Sequence, residues 1–370
     1  MSVRSDPLHS LIEGSWFKLI CGASYQHSPA VRSLALAYAL AGADCIDVAA
    51  DSAVITAAQE GIKVAAKLSK GKARNKSPWL MVSINDGEDP HFRKAQFDAT
   101  RCPSDCPQPC IKVCPANAIE IASEISSSNS SSRVIDQLCY GCGRCLPICP
   151  SELIFTRSHI STPRMVMPWI EEKGIDAIEI HTQVGHYDDF KRVWQDLAPQ
   201  VGQLKLLAIS CTEDQGVIDY LRSLYDLISP LPCPLIWQTD GRSMSGDIGK
   251  GTTHMAISFA EKVLQAKLPG YVQLAGGTND YTVTKLNTAQ MLRQQKLNNS
   301  VSGVAYGSYA RSILSPILEK LEITEQQNFK PNLNQNQLMN QSIQLEQNSE
   351  LLKQAVETAS YLVNQIKSRQ

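Results

Sequence analysis

The sequence predicts an α/β fold: a (β/α)8-barrel-like body interrupted by a small cysteine-rich insertion. Three observations predict it. Outside the cysteine-rich segment, a short apolar run followed by a helix-like stretch recurs eight times in the 370 residues. Such alternation places parallel strands under crossover helices, and eight is the number that closes the sheet into a barrel. The seventh and eighth runs end in Gly276-Gly277 and Gly307-Ser308, the places where barrels often bind phosphate. An open doubly wound sheet uses the same units and stands as the alternative.

The runs are 17–21 (FKLIC), 45–49 (CIDVA), 79–84 (WLMVSI), 177–181 (AIEIH), 204–209 (LKLLAI), 235–238 (LIWQ), 271–274 (YVQL) and 304–306 (VAY). The helix-like stretches are 29–41, 53–66, 165–173, 188–197, 216–228, 254–267, 281–295 and 311–321. The body divides at the third run. Residues 1–99 form its first half, 100–158 the insertion and 159–324 its second half. Within the insertion, the Ser/Asn-rich 123–132 reads as a flexible loop. Beyond 324 the composition turns to Gln and Asn, a linker over 325–345. An amphipathic helix over 346–370 follows, with Leu351, Leu352, Ala355, Ala359, Leu362, Val363 and Ile366 on one face.

Hydrophobic residues make up 43% of the chain, enough for a full core, and the net charge is −1. That balance predicts no nucleic-acid footprint and no polybasic membrane patch. The densest basic run, 67–76 (KLSKGKARNK), reads as a solvated loop. No run of 18 apolar residues is present and the start lacks a signal-peptide pattern, so the reading is a cytoplasmic protein without a transmembrane segment. Thiols stay reduced there. Of twelve cysteines, eight crowd between 102 and 149, while Cys21, Cys45, Cys211 and Cys233 are scattered. Crowding of that kind points to metal ligation.

The second quartet, Cys139-x2-Cys142-x2-Cys145-x3-Cys149-Pro150, is the bacterial ferredoxin run. Three thiolates two residues apart wrap one cubane, and Gly141 and Gly143 let the backbone approach it closely. The fourth thiolate reaches the other cluster. The first quartet, Cys102, Cys106, Cys110 and Cys114, has three residues in each gap and the same terminal Cys-Pro. Its prolines, Pro103, Pro107 and Pro109, predict an extended loop with no helix. After Cys114 and Cys149 the two segments match position by position, the internal symmetry of a two-cluster ferredoxin. The expected wiring is crossed. One cluster, [4Fe–4S] or [3Fe–4S], takes Cys102, Cys106, Cys110 and Cys149. A [4Fe–4S] cluster takes Cys139, Cys142, Cys145 and Cys114. Zinc uses pairs of cysteines and does not fit this pattern.

If the barrel closes, its active face is lined by Asp51, Asn85, His181, Cys211, Asp240, Gly276-Gly277 and Gly307-Ser308. Gly276, Gly277, Gly307 and Ser308 are candidates to hold an anion or a flavin phosphate. The Gly-rich 240–252 is either a ligand loop or a surface loop, and its spacing is not that of a P-loop. His181 reads first as a structural histidine, Cys211 and Cys233 as small core residues. The mouth offers no recognisable acid–base set.

The chain resembles the cyanobacterial light-dependent period (LdpA) family. The resemblance rests on 17–29 (FKLICGASYQHSP), the proline-rich first quartet, the second quartet, and 235–249 (LIWQTDGRSMSGDIG), and it covers roughly 14–321. It implies an iron–sulfur redox sensor in the input path of the circadian clock. Such a sensor reports photosynthetic redox state through clock proteins and a clock-input histidine kinase. The competing reading is a barrel oxidoreductase that passes electrons from the clusters to a flavin or small substrate.

Overall fold

A computed structural model describes residues 6–21, 28–69, 77–87, 93–98, 101–103, 105–114, 118–119, 134–135, 139, 145–158, 163–241, 252–292, 300–327 and 344–368. The chain opens with helix α1 (Pro7–Glu13), β1 (Trp16–Ile20), α2 (Ser28–Ala41), β2 (Cys45–Ala49), α3 (Ser52–Leu68) and β3 (Trp79–Asn85). The insertion holds β4 (Arg93–Gln96), α4 (Pro109–Val113) and β5 (Phe155–Ser158). The body resumes with α5 (Pro163–Glu172), β6 (Ala177–Thr182), α6 (Tyr187–Leu197), β7 (Leu206–Thr212) and α7 (Val217–Ile228). Then come β8 (Leu235–Asp240), α8 (Thr252–Gln265), β9 (Tyr271–Ala275), α9 (Thr282–Thr288) and β10 (Gly303–Tyr306). Helices α10 (Ser308–Ser312), α11 (Ser315–Gln327) and α12 (Ser349–Lys367) complete the chain. No helix among the described residues is long and apolar enough to cross a membrane.

The sheet closes. β1, β2, β3, β6, β7, β8, β9 and β10 pair in parallel, and β10 returns to β1. Closure demands a close approach at the seam: a Cβ on Gly303 would lie 2.3 Å from the Trp16 carbonyl oxygen. Local signals explain the helix starts. The Asp51 carboxylate accepts from Ala53 N–H and Val54 N–H and caps α3, while Asn348 caps α12. Gly61 lets α3 lie against α2, where a Cβ would fall 2.3 Å from the Arg32 carbonyl oxygen.

Two apolar layers form the body's core. One lies between strands and helices, with Phe17 stacked on Tyr38 and Tyr306 at 5.8 and 5.2 Å. The other fills the lower barrel, where Trp16, Trp79, Met81, Leu206 and Ile236 meet Leu11 of α1. Helix α12 buries the predicted apolar face, apart from half-buried Leu352, and packs on α2, β1 and α11. Lys367 Nζ reaches both oxygens of buried Asp44 at 2.6 Å, and Arg32 forks onto Glu346 at 2.6 and 2.9 Å.

Several boundaries differ from the sequence reading. The helix expected over 281–295 ends at Thr288, and that expected over 311–321 is divided between α10 and α11. α11 runs into the expected linker, whose residues 328–343 lie outside the described residues, as do the loop 123–132 and residues 242–251. The prolines of the first quartet do not exclude a helix: Pro109 starts α4. The first helical position is the one where a missing N–H costs nothing.

Candidate iron–sulfur centre and the barrel mouth

The insertion has its own small core of Ala95, Phe97, Cys110, Ala118, Ile119, Val134, Cys139, Cys145 and Ile154. Two antiparallel contacts frame it. β4 pairs with β5 at its root, and Ile119 bridges Val134 at its far end. The two repeats share a backbone device: Cys114 N–H donates to the Ile111 carbonyl at 3.3 Å, and Cys149 N–H to the Leu146 carbonyl at 3.4 Å. Each closing cysteine thus ends a tight turn and packs, partly buried, against the core. Ala118 N–H also donates to Cys114 Sγ at 3.3 Å, the kind of contact that tunes a ligating sulfur.

Burial raises the pKa of Cys102, and the thiols of Cys106, Cys110 and Cys149 raise it further. Burial raises Cys110 as well, with Cys149 and Cys106 adding to the shift. Cys149 therefore stands with the first quartet's cysteines, 35 positions beyond Cys114 in the chain. The neighbouring thiols oppose the ionisation of Cys102 and Cys110, a repulsion that an iron core relieves, so these residues fit a cluster. Among the described residues no three His, Cys, Asp or Glu side chains are tight enough for a single metal ion. A cubane spreads its thiolates over four irons and asks for wider spacing. Cys142 lies outside the described residues.

The insertion is pinned to the barrel. Lys94 Nζ of β4 meets Asp51 Oδ2 at 2.6 Å, and both side chains are buried. Asp51 follows β2, so the pin sits at the barrel mouth. Lys94→Ala leaves the Asp51 carboxylate buried with only its capping bonds; breaking such a pair costs up to about 3–5 kcal/mol. The expected result is faster proteolysis within 93–158 and a lower barrel melting temperature, both relieved when Asp51→Asn is added. Thermal melts and timed digestion check it.

The other mouth residues divide. Asn85, His181 and Asp240 face inward, whereas Cys211 points out into the helix layer, where burial pushes its thiol up to about 12. The outward direction follows from strand alternation, since Ser210 beside it faces the interior. A Cβ on Gly276 would lie 1.7 Å from Asp240 Oδ1, and Thr253 Oγ1 donates to the Gly277 carbonyl at 2.6 Å. Those glycines make room for Asp240 and Thr253. Gly307 and Ser308 sit against Arg311, whose Nη2 lies 3.4 Å from Ser308 Oγ.

Sequence reasoning missed the barrel's interior. Lys18 Nζ, wholly buried, lies 3.2 Å from Asp47 Oδ2, donates to Glu179 and approaches Met81 Sδ at 3.6 Å. Glu179 Oε1 also accepts from Gln238 Nε2 at 2.7 Å and His181 Nε2 at 3.1 Å. Gln273 donates to Gln238 and accepts from Trp16 Nε1 at 2.6 Å. Glu179 and His181 form a buried carboxylate–imidazole pair that the sequence reading did not single out. The signal was present: residues i and i+2 of a strand share a face.

A closed (β/α)8 barrel with a ferredoxin-like cysteine insertion docked at its mouth defines the class: an iron–sulfur-binding barrel protein. Comparison with known proteins agrees. Residues 102–160 match the family described as the LdpA Fe-S cluster-binding domain, and 169–365 match the Light dependent period A C-terminal domain. The chain is 49% identical to Light dependent period A of Synechococcus elongatus (strain ATCC 33912 / PCC 7942 / FACHB-805) over 363 residues, 98% of this chain and 94% of the relative. The chain belongs to the Light dependent period A family.

Proposed function

We propose that this protein is a redox sensor that relays photosynthetic redox state to the circadian clock input pathway through protein partners. The observation that carries the reading is the grouping of Cys102, Cys106, Cys110 and Cys149 in an insertion pinned to the barrel. On this reading the wiring is crossed. Cys102, Cys106, Cys110 and Cys149 hold one cluster, and Cys139, Cys142, Cys145 and Cys114 hold a [4Fe–4S] cluster. Bound there, the clusters supply one-electron chemistry. The chain's own residues do the rest. Ala118 steadies the Cys114 sulfur, the apolar core limits water, and Lys94 ties the insertion to the body that faces partners. The partners proposed, from the family resemblance, are clock proteins and a clock-input histidine kinase in the cytoplasm.

Anaerobic purification with iron and sulfide analysis and electron paramagnetic resonance tests the cofactor part. Roughly eight irons per chain are expected, or roughly seven with a three-iron first cluster. Binding of the histidine kinase to oxidised and reduced protein tests the sensor part. Equal affinity for both forms sinks it.

A further inference from the structure

The barrel's inner wall carries a second polar site, independent of the cysteines. Asn85, His181 and Ser210 are cross-strand partners on β3, β6 and β7. Partners in register stand side by side on one face of a sheet. That face is the interior, because Met81, Ala177 and Leu206, each four residues earlier, belong to the lower barrel core.

The donors of this row are set by what lies beneath. A carboxylate only accepts, so Glu179 fixes the proton of His181 on Nε2. Among the described residues Nδ1 meets no protein partner, and the side chain is 26% exposed. Burial pushes the His181 pKa down, but the hydrogen bond to Glu179 and the attraction of Glu179 and Asp47 outweigh burial and the repulsion of Lys18. Lys18 against Asp47 and Glu179 leaves one negative charge in excess, which an imidazolium balances. Half-buried Asn85 has a carboxamide without a protein partner among the described residues. Ser210, 2% exposed, accepts from Gln238 at 3.0 Å and keeps its own O–H. At the rim, Lys94 neutralises Asp51, and Asp240 leans onto Gly276.

We infer that the barrel mouth binds a small oxyanion, a carboxylate or phosphate group, held by the Nδ1–H of the His181 imidazolium, the Asn85 carboxamide and the Ser210 hydroxyl. Phosphate and carboxylate share this chemistry, and titration separates them. The test uses anaerobically prepared full-length protein with its clusters and with ring nitrogens of histidine labelled. Inorganic phosphate, acetate and chloride are added at matched ionic strength. The expected result is a saturable shift of the His181 ring signal with phosphate or acetate and none with chloride; the tighter of the two names the group. His181→Phe abolishes binding measured by calorimetry. Asn85→Ala, which leaves the Lys18–Glu179 contacts in place, weakens it roughly fivefold. A response to chloride equal to that for phosphate and acetate overturns the inference. So does unchanged affinity in Asn85→Ala and Ser210→Ala.

Discussion

Cys149→Ala is expected to abolish the cluster of the first quartet, although Cys149 ends the second. The thiol that Cys102 and Cys110 feel across the insertion is that of Cys149. Cys142→Ala is expected to abolish the other cluster. Each variant should lose roughly half of the iron and inorganic sulfide, and the surviving paramagnetic signals of the two should be complementary. Thiolate ligation supplies folding energy to small metal-holding units, so proteolytic protection should fall within 93–158. The barrel should keep its circular dichroism and melting, because its core residues and those of the insertion form separate groups. A Cys149→Ala protein that retains the first-quartet signal at full intensity refutes the crossed wiring.

The barrel was legible because each strand announces itself locally. CIDVA is apolar with one polar residue at its centre, its bounds are those of β2, and small or polar residues punctuate the chain after it. The cysteine spacing was equally local. What stayed hidden depends on partners far along the chain. Lys18 and Glu179 are 161 positions apart, and nothing around either residue says that a barrel interior will bring them together. Period two separates the faces of FKLIC and AIEIH without saying which face closes inward. Nothing in RKAQ marks Lys94 as buried, and only the docking of β4 on the mouth turns it into a buried pin. The apolar face of α12 was readable, but not its seat between α2 and α11.

The Lys18 network makes a second large effect with a definite pH dependence. Glu179 accepts from Lys18, His181 and Gln238, and although burial pushes its pKa up, Lys18 and His181 bring it from an ordinary 4.5 down to about 2. Asp47 accepts from Lys18 and from Ser83 at 2.6 Å, and burial outweighs those contacts, so its pKa is raised. The two carboxylates of one ammonium therefore act oppositely on stability. Glu179 contributes stability that is complete above about 4.5 and is lost as pH falls toward about 2. Asp47 is costly while ionised, and that cost lifts as it takes up a proton. Lys18→Met removes the charge that reconciles them. Two carboxylates then share a buried space, and the loss at pH 7 is expected to be about 3–5 kcal/mol. Both carboxyls of the variant titrate above their unfolded values, so the deficit against wild type should narrow as pH is lowered from 7 toward 4. Urea unfolding followed across that range measures it. A deficit that holds constant or widens toward acid places the Lys18 charge outside the interaction drawn here and leaves only a lost side chain to explain the change.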